Sequence, residues 1–282
     1  MTDPADPADL TVSENRRLQR EVKQLRARVE ALETSRWWRL HPRFALERLR
    51  GGLTPESQPT DTDTPTARTE PVPATGSADA LTERFREEVM ARAEFTEDWF
   101  TVHIPAWERV ARKLEGRRAR ILELGSFEGL SACFLLWRLP EAHVTCVDTF
   151  AGIPAYNAYG IGGPELERRF DRNVALVDGS RVRKLAGATH SVLPALVADG
   201  ERFDLGYIDA SHRALDVIVD SALCWQLLVP RGIAIFDDYG PIPAGDDPLE
   251  HPAPAIDAFL GLVGDELEVM ERQRQLIVRK SR

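Results

Sequence analysis

The residues with the most chemistry in them are the pair of motifs IDASH, at 208–212, and FDDYG, at 236–240. Asp209 closes one apolar run, and Asp237 and Asp238 close the next. If both runs are neighbouring strands, three carboxylates converge at one sheet edge. Like charges that close repel unless a cation joins them. Hard oxygen donors suit Mg2+ or Mn2+, with water and a substrate oxygen completing an octahedron. Any one of these aspartates alone would read as an ordinary cap of a helix or loop. His212 follows Asp209 by three residues. A neutral imidazole there, or Asp209 itself, is the candidate base for a hydroxyl acidified by the metal.

A second group surrounds ILELGSFEGLS, residues 121–131. Glycines at a strand-to-helix turn let backbone approach a ligand, and the helix N-terminus offers free N–H groups. The spacing here is E-x-G-x-x-x-G and not the dinucleotide pattern G-x-G-x-x-G. Glu123 stands where it could attract a sulfonium, which favours S-adenosyl-L-methionine over NAD. Glu123, Gly125, Ser126 and Gly129 are therefore cofactor candidates, although a plain turn would use the same glycines. Asp148, followed by Thr149 and Phe150, lies about twenty residues further on, where an acidic side chain can accept from both ribose hydroxyls. It could equally cap a helix. Ala188, Thr189 and His190 follow Gly187 in a turn suited to an adenine ring, and His190 could as well be a plain loop histidine.

These residues need a sheet to align them. From residue 80 onward β-branched apolar runs alternate with helical patterns, the signature of βαβ units and a doubly wound, Rossmann-like α/β sheet. Strands are expected at 120–124, 143–147, 182–186, 203–208 and 232–236, with helices at 130–137, 165–177 and 215–228. A helix at 255–263 and a terminal pair of strands at 266–271 and 275–279 complete the domain, making the sheet mostly parallel with an antiparallel end. Trp99, Phe100 and His103 precede the first strand, either covering the cofactor or packing in the core.

The first eighty residues read differently. Residues 1–10 are expected to be disordered, and 11–35 carry a 3-4 repeat with Val22 and Val29 in one seam position and Leu18, Leu25 and Leu32 in the other. Asn15 shares that register, a combination that favours a parallel two-stranded coil and a homodimer; a single solvated helix is the plainer reading. Residues 36–53 interleave aromatic and basic residues, suiting a peripheral membrane contact, a protein groove or packing on the catalytic domain. Residues 54–79 are rich in Pro, Thr, Asp and Ser and form a flexible linker to a domain spanning 80–282.

The net charge of -9 supplies no basic field for phosphates, so nucleic acid is disfavoured as a partner and a small molecule or glycan fits better. Cys133, Cys146 and Cys224 form no C-x-x-C pair, which argues against a disulfide framework or a zinc site. The N-terminus carries acidic residues where a signal peptide needs basic ones, so the expected location is cytoplasmic, with membrane association through 36–53.

The segment from about 96 to 280 resembles the bacterial type 24 class I methyltransferases, through ILELGSFEG, CVDTFAG, IDASH, WQLLVPRG, IFDDY and AIDAFL. More distantly, ELGSFEGLS, GATHSVLPAL and the aspartates at 209, 237 and 238 look like catechol-type O-methyltransferases. The resemblance implies that the matched aspartates hold Mg2+, Asp148 the ribose and Ser131 the methionine carboxylate. It departs at His212, where the catechol enzymes place a catalytic lysine. The implied activity is metal-assisted O-methylation of a small molecule, sugar or glycan by S-adenosyl-L-methionine. A metal-independent methyltransferase and a non-catalytic scaffold are the alternatives.

Overall fold

The computed structural model describes residues 78–152, 162–242 and 246–281. The readings on 1–10, 11–35 and 36–53, and nearly all of the linker, lie outside the described residues. Ala78 and Asp79 already belong to the first helix, α1 (Ala78–Glu88).

A helix α2 (Ile104–Leu114) follows, and then strands and helices alternate. They are β1 (Arg120–Leu124), α3 (Leu130–Arg138), β2 (His143–Asp148), α4 (Pro164–Val177), β3 (Val182–Ala186), α5 (Thr189–Ala198), β4 (Phe203–Ile208) and α6 (Ala214–Leu227). The long β5 (Leu228–Phe236), α7 (Pro252–Val263) and the pair β6 (Leu267–Arg272) and β7 (Leu276–Lys280) end the described fold. Strand order is β3-β2-β1-β4-β5-β7-β6, with β7 antiparallel to both neighbours and the remaining pairs parallel. The order reverses between β1 and β4, the crevice where open α/β sheets bind ligands.

The period of two along each strand divides the core. Ile121, Tyr207, Ile233 and Ile277 face a cluster with Trp107, Phe134 and Phe170 from α2, α3 and α4. Leu122, Leu124, Ile208 and Phe236 face the other side, against Val217, Trp225 and Phe259 from α6 and α7. All nine residues of α3 are buried, so this helix is a wedge behind the glycine loop. In α2 the buried residues Ile104, Trp107, Val110, Ala111 and Leu114 share one face at helical spacing. Gly206 lets α6 settle on β4, since a β-carbon there would lie 2.4 Å from Cys224 Sγ.

The expected strands agree with the structure to within a residue except β5, which begins four residues earlier than the apolar run suggested. Pro230 and Arg231 interrupt that run, and Arg231 sits at φ 63°, a kink the strand tolerates near its start. The three cysteines are free and buried. No helix among the described residues is long and apolar enough to cross a membrane.

Candidate functional site

Sheet pairing continues one residue past the strand ends, and this is what draws the site together. Gly125 N–H donates to Val147 at 2.9 Å, Asp209 N–H to Leu124 at 2.8 Å, and Asp237 N–H to Ile208 at 3.1 Å. The loops after β1, β2, β4 and β5 are thereby held side by side. Gly125 has φ +86°, and a β-carbon on it would stand 2.1 Å from the Asp209 carbonyl oxygen. Neighbouring backbone by itself therefore requires glycine here. Among the described residues, three of the four non-glycine residues at positive φ lie on these loops: Phe127 (46°), Phe150 (51°) and Asp238 (51°). Such strain persists only where surroundings impose it, and it gathers at ligand sites.

Asp148 supplies part of that constraint. Its Oδ2 accepts from the backbone N–H groups of Ser126 (2.7 Å) and Phe127 (2.8 Å), and its Oδ1 from that of Phe150 (2.7 Å). A carboxylate offers about four acceptor positions, and on Asp148 three of them are filled by these backbone donors. Asp148 is first a clasp between two loops. Thr149 is exposed and its Oγ1 accepts from Ala151 N–H at 3.2 Å. Phe150 points away from the crevice, 2% exposed and packed on Phe170 at 5.2 Å.

Glu123 lies in the core, 0% exposed, accepting from Ser131 Oγ at 2.5 Å and Cys146 Sγ at 3.3 Å. Burial pushes its carboxyl above the usual range against the bonds from Ser131 and Cys146. Ser131 is committed to that bond beneath the loop. Gly129 is the residue before α3, and Ser126 is buried. Ala188 precedes α5, whose first residues are the buried Thr189 and the exposed His190.

The aspartate cluster is brought together. Donor atoms of Asp209, His212 and Asp238 all lie within 4.8 Å of one another, and the same residues line a shallow cleft with Ser211, Phe236 and Ile256. His212 Nε2 lies 2.8 Å from Asp238 Oδ2. That bond raises the His212 imidazole above its ordinary value, so the neutral histidine of the sequence reading is shifted toward its charged form. Burial opposes the charged form of Asp238, yet the His212 bond together with the charges of His212, His103 and Arg274 outweighs it, and the carboxyl ends below its usual range. Ser211 Oγ donates to Asp216 at 2.9 Å and accepts from Arg213 N–H at 3.2 Å, fixing the loop that carries His212 into α6.

Asp237 is held differently from its neighbour. Its Oδ1 accepts from Gln275 Nε2 at 3.0 Å and from Asp238 N–H at 2.9 Å, while its Oδ2 lies 2.5 Å from the Tyr207 hydroxyl. Tyr207 Oη also lies 2.8 Å from Asp209 Oδ2. Burial, with Asp237 and Asp238 nearby, pushes the Asp209 carboxyl well above the usual range. Burial, with Asp209 and Asp237 beside it, raises the Tyr207 hydroxyl well above its usual range, so it keeps its proton. Tyr207 and Gln275 escaped sequence reading because an aromatic inside an apolar run and an amide before a strand look like ordinary packing. His103 faces this cluster too; burial lowers it against the pull of Asp237. Trp99 packs on Phe127 of the glycine loop with rings 5.5 Å apart, whereas Phe100 is core.

Residues 122–239 match the family model described as a methyltransferase domain, type 24. No curated protein matches the chain. Among solved structures, the MycE methyltransferase of the mycinamycin pathway, in complex with Mg, SAH and mycinamycin VI, is 15% identical with a TM-score of 0.51, covering 74% of this chain and 56% of that one. A putative O-methyltransferase from Klebsiella pneumoniae is 16% identical, covering 75% and 92%, with a TM-score of 0.49. An O-methyltransferase from Bacillus cereus in complex with SAH is 16% identical, covering 73% and 92%, also at 0.49. The match spans the strands that carry Glu123, Asp148, Asp209 and Asp237, and marks residues 122–239 as a methyltransferase domain.

Proposed function

We propose that this chain transfers a methyl group from S-adenosylmethionine to a hydroxyl oxygen of a small molecule, sugar or glycan, with Asp209, Asp237 and Asp238 holding Mg2+ or Mn2+. The observation that carries this reading is the gathering of Asp209, His212 and Asp238 within 4.8 Å at the edge of β4 and β5, with Asp237 joined to Asp209 through one hydroxyl. The donor set fits the cation: it is oxygen-rich, and the crowding that pushes the Asp209 carboxyl up is what a divalent charge would relieve. The loops after β1 and β2, strained at Phe127 and Phe150 and clasped by Asp148, are the cradle that fits the cofactor.

Bound S-adenosylmethionine supplies an electrophilic methyl carbon, and the cation lowers the pKa of the acceptor hydroxyl. Asp209 and Asp238 orient the acceptor oxygen between the two strand ends. With Nε2 of His212 turned to Asp238, Nδ1 is free to take the hydroxyl proton, and Asp238 then stabilises the imidazolium. The remaining rate enhancement comes from alignment of oxygen and methyl in line.

The test is incubation of the full chain with labelled cofactor and extracts of cell-envelope glycans and nucleotide sugars, with and without EDTA. Label entering a hydroxyl-bearing acceptor only when divalent cation is present is the expected result. Transfer unaffected by EDTA would move the reading to a metal-independent methyltransferase, and cofactor binding without transfer to any acceptor would move it to a scaffold.

A further inference from the structure

Behind the carboxylates, the buried side chains of Trp107, Gln275 and Tyr207 form a polar chain through the core that ends on the cleft-lining Asp237 and Asp209. Trp107 Nε1 on α2 donates to Gln275 Oε1 at 2.8 Å, and Gln275 Nε2 donates to Asp237 Oδ1 at 3.0 Å. Asp237 Oδ2 meets the Tyr207 hydroxyl at 2.5 Å, and that hydroxyl meets Asp209 Oδ2 at 2.8 Å. Trp107, Gln275 and Tyr207 are 1%, 3% and 3% exposed, so no water competes for these bonds. An amide can be turned either way about its last torsion. Here the indole N–H, a donor only, requires the carbonyl end of Gln275 and so directs the NH2 end to Asp237. Trp107 also stands edge-on to the Tyr207 ring at 4.7 Å, which fixes the direction of the hydroxyl.

We propose that Trp107 and Gln275 are positioning residues of this site, setting the plane of Asp237 and, through Tyr207, that of Asp209. Tyr207 has one proton for two carboxylates, so the placement of Asp237 decides what is left for Asp209. The three supports come from α2, β4 and the residue before β7. As it concerns the cation, the inference rests on the metal reading above; the hydrogen-bonded chain itself does not.

Two measurements on the full chain test it. The first follows the Trp107 indole N–H by 15N-resolved NMR, assigned through its disappearance in Trp107→Phe. With no ligand added, Asp237→Asn should move that resonance, since the amide between them must re-form its bonds. The second follows Mn2+ binding by electron paramagnetic resonance. Gln275→Leu and Trp107→Phe should each weaken it about tenfold, as loss of outer-shell partners does. The double variant should be no weaker than the worse single, because one broken link already frees Asp237. S-adenosylmethionine affinity should stay at the wild-type value in Trp107→Phe, which a general loss of structure would not allow. An indole resonance indifferent to Asp237→Asn overturns the chain. Unchanged Mn2+ affinity in Trp107→Phe overturns its role at the site, and this variant keeps the ring if Gln275→Leu fails to fold. Wild-type protein that binds no Mn2+ overturns the metal reading instead, and the indole resonance then decides the chain alone.

Discussion

Among the described residues His212 is held by Asp238, at 2.8 Å, and the two lie on the loops that follow β4 and β5. His212→Asn keeps a group able to bond Asp238 but has no titratable nitrogen. Its turnover is expected to fall about 100- to 10,000-fold, the contribution of a positioned base, with S-adenosylmethionine affinity unchanged by calorimetry. Equal turnover would remove His212 from the reaction. A different buried acid sets a pH dependence of stability. Asp220 on α6 is 1% exposed, one of its oxygens has no hydrogen-bond partner, and burial raises its carboxyl from 3.8 to about 6. A carboxyl raised in the folded state binds more protons folded than unfolded. Its stability is therefore fully present below pH 3.8 and lost as pH rises through about 6. Asp220→Asn removes that loss, so urea unfolding should show the variant gaining about 3 kcal/mol on the wild type between pH 4 and pH 7. A constant difference across that range would show that Asp220 is not shifted.

At the level of elements, the loop after β1 is tied to the segment before α2 by one carboxylate. Glu128, 2% exposed, accepts from Thr96 N–H and Oγ1, both at 2.6 Å, and from Arg169 on α4 at 3.1 Å. Glu128→Ala leaves a guanidinium and an amide without their partner. It should cost about 3 kcal/mol in denaturant unfolding. A loss under 1 kcal/mol would mean that the clamp holds little. Gly125→Ala should lower the melting temperature even without cofactor, because its β-carbon meets the backbone of Asp209. That makes this position unsuitable for testing cofactor binding alone. Elements of this kind were legible from residues: apolar runs of five or six marked β1 to β4, and the three aspartates were found because carboxylates at strand ends have no packing reason to be there. Asp148 and Glu123 were found from their spacing but their hydrogen-bond partners were not, since spacing shows where a carboxylate stands and not which donors reach it. Gln275 and Trp107 were invisible as site residues because their contact spans 168 positions, and no local pattern announces a pairing of that range.

For the whole molecule, the Val/Leu seam at residues 18–32 predicts that the chain dimerises through its N-terminal segment. Sedimentation of the full chain beside a chain starting at Ala80 checks this: a dimer and a monomer are expected, and equal states in both would end the idea. The domain that follows has a property set by its strand order. β7 lies between β5 and β6 although it comes after both in sequence, and Gln275 immediately precedes it. During synthesis on the ribosome, β1 to β5 and all of Asp209, His212, Asp237 and Asp238 emerge before Gln275 does. A nascent chain can thus assemble the crevice with its carboxylates in place while Asp237 still lacks the amide that orients it. If the site takes the cation proposed above, competence for it arrives last, with the insertion of β7 between β5 and β6.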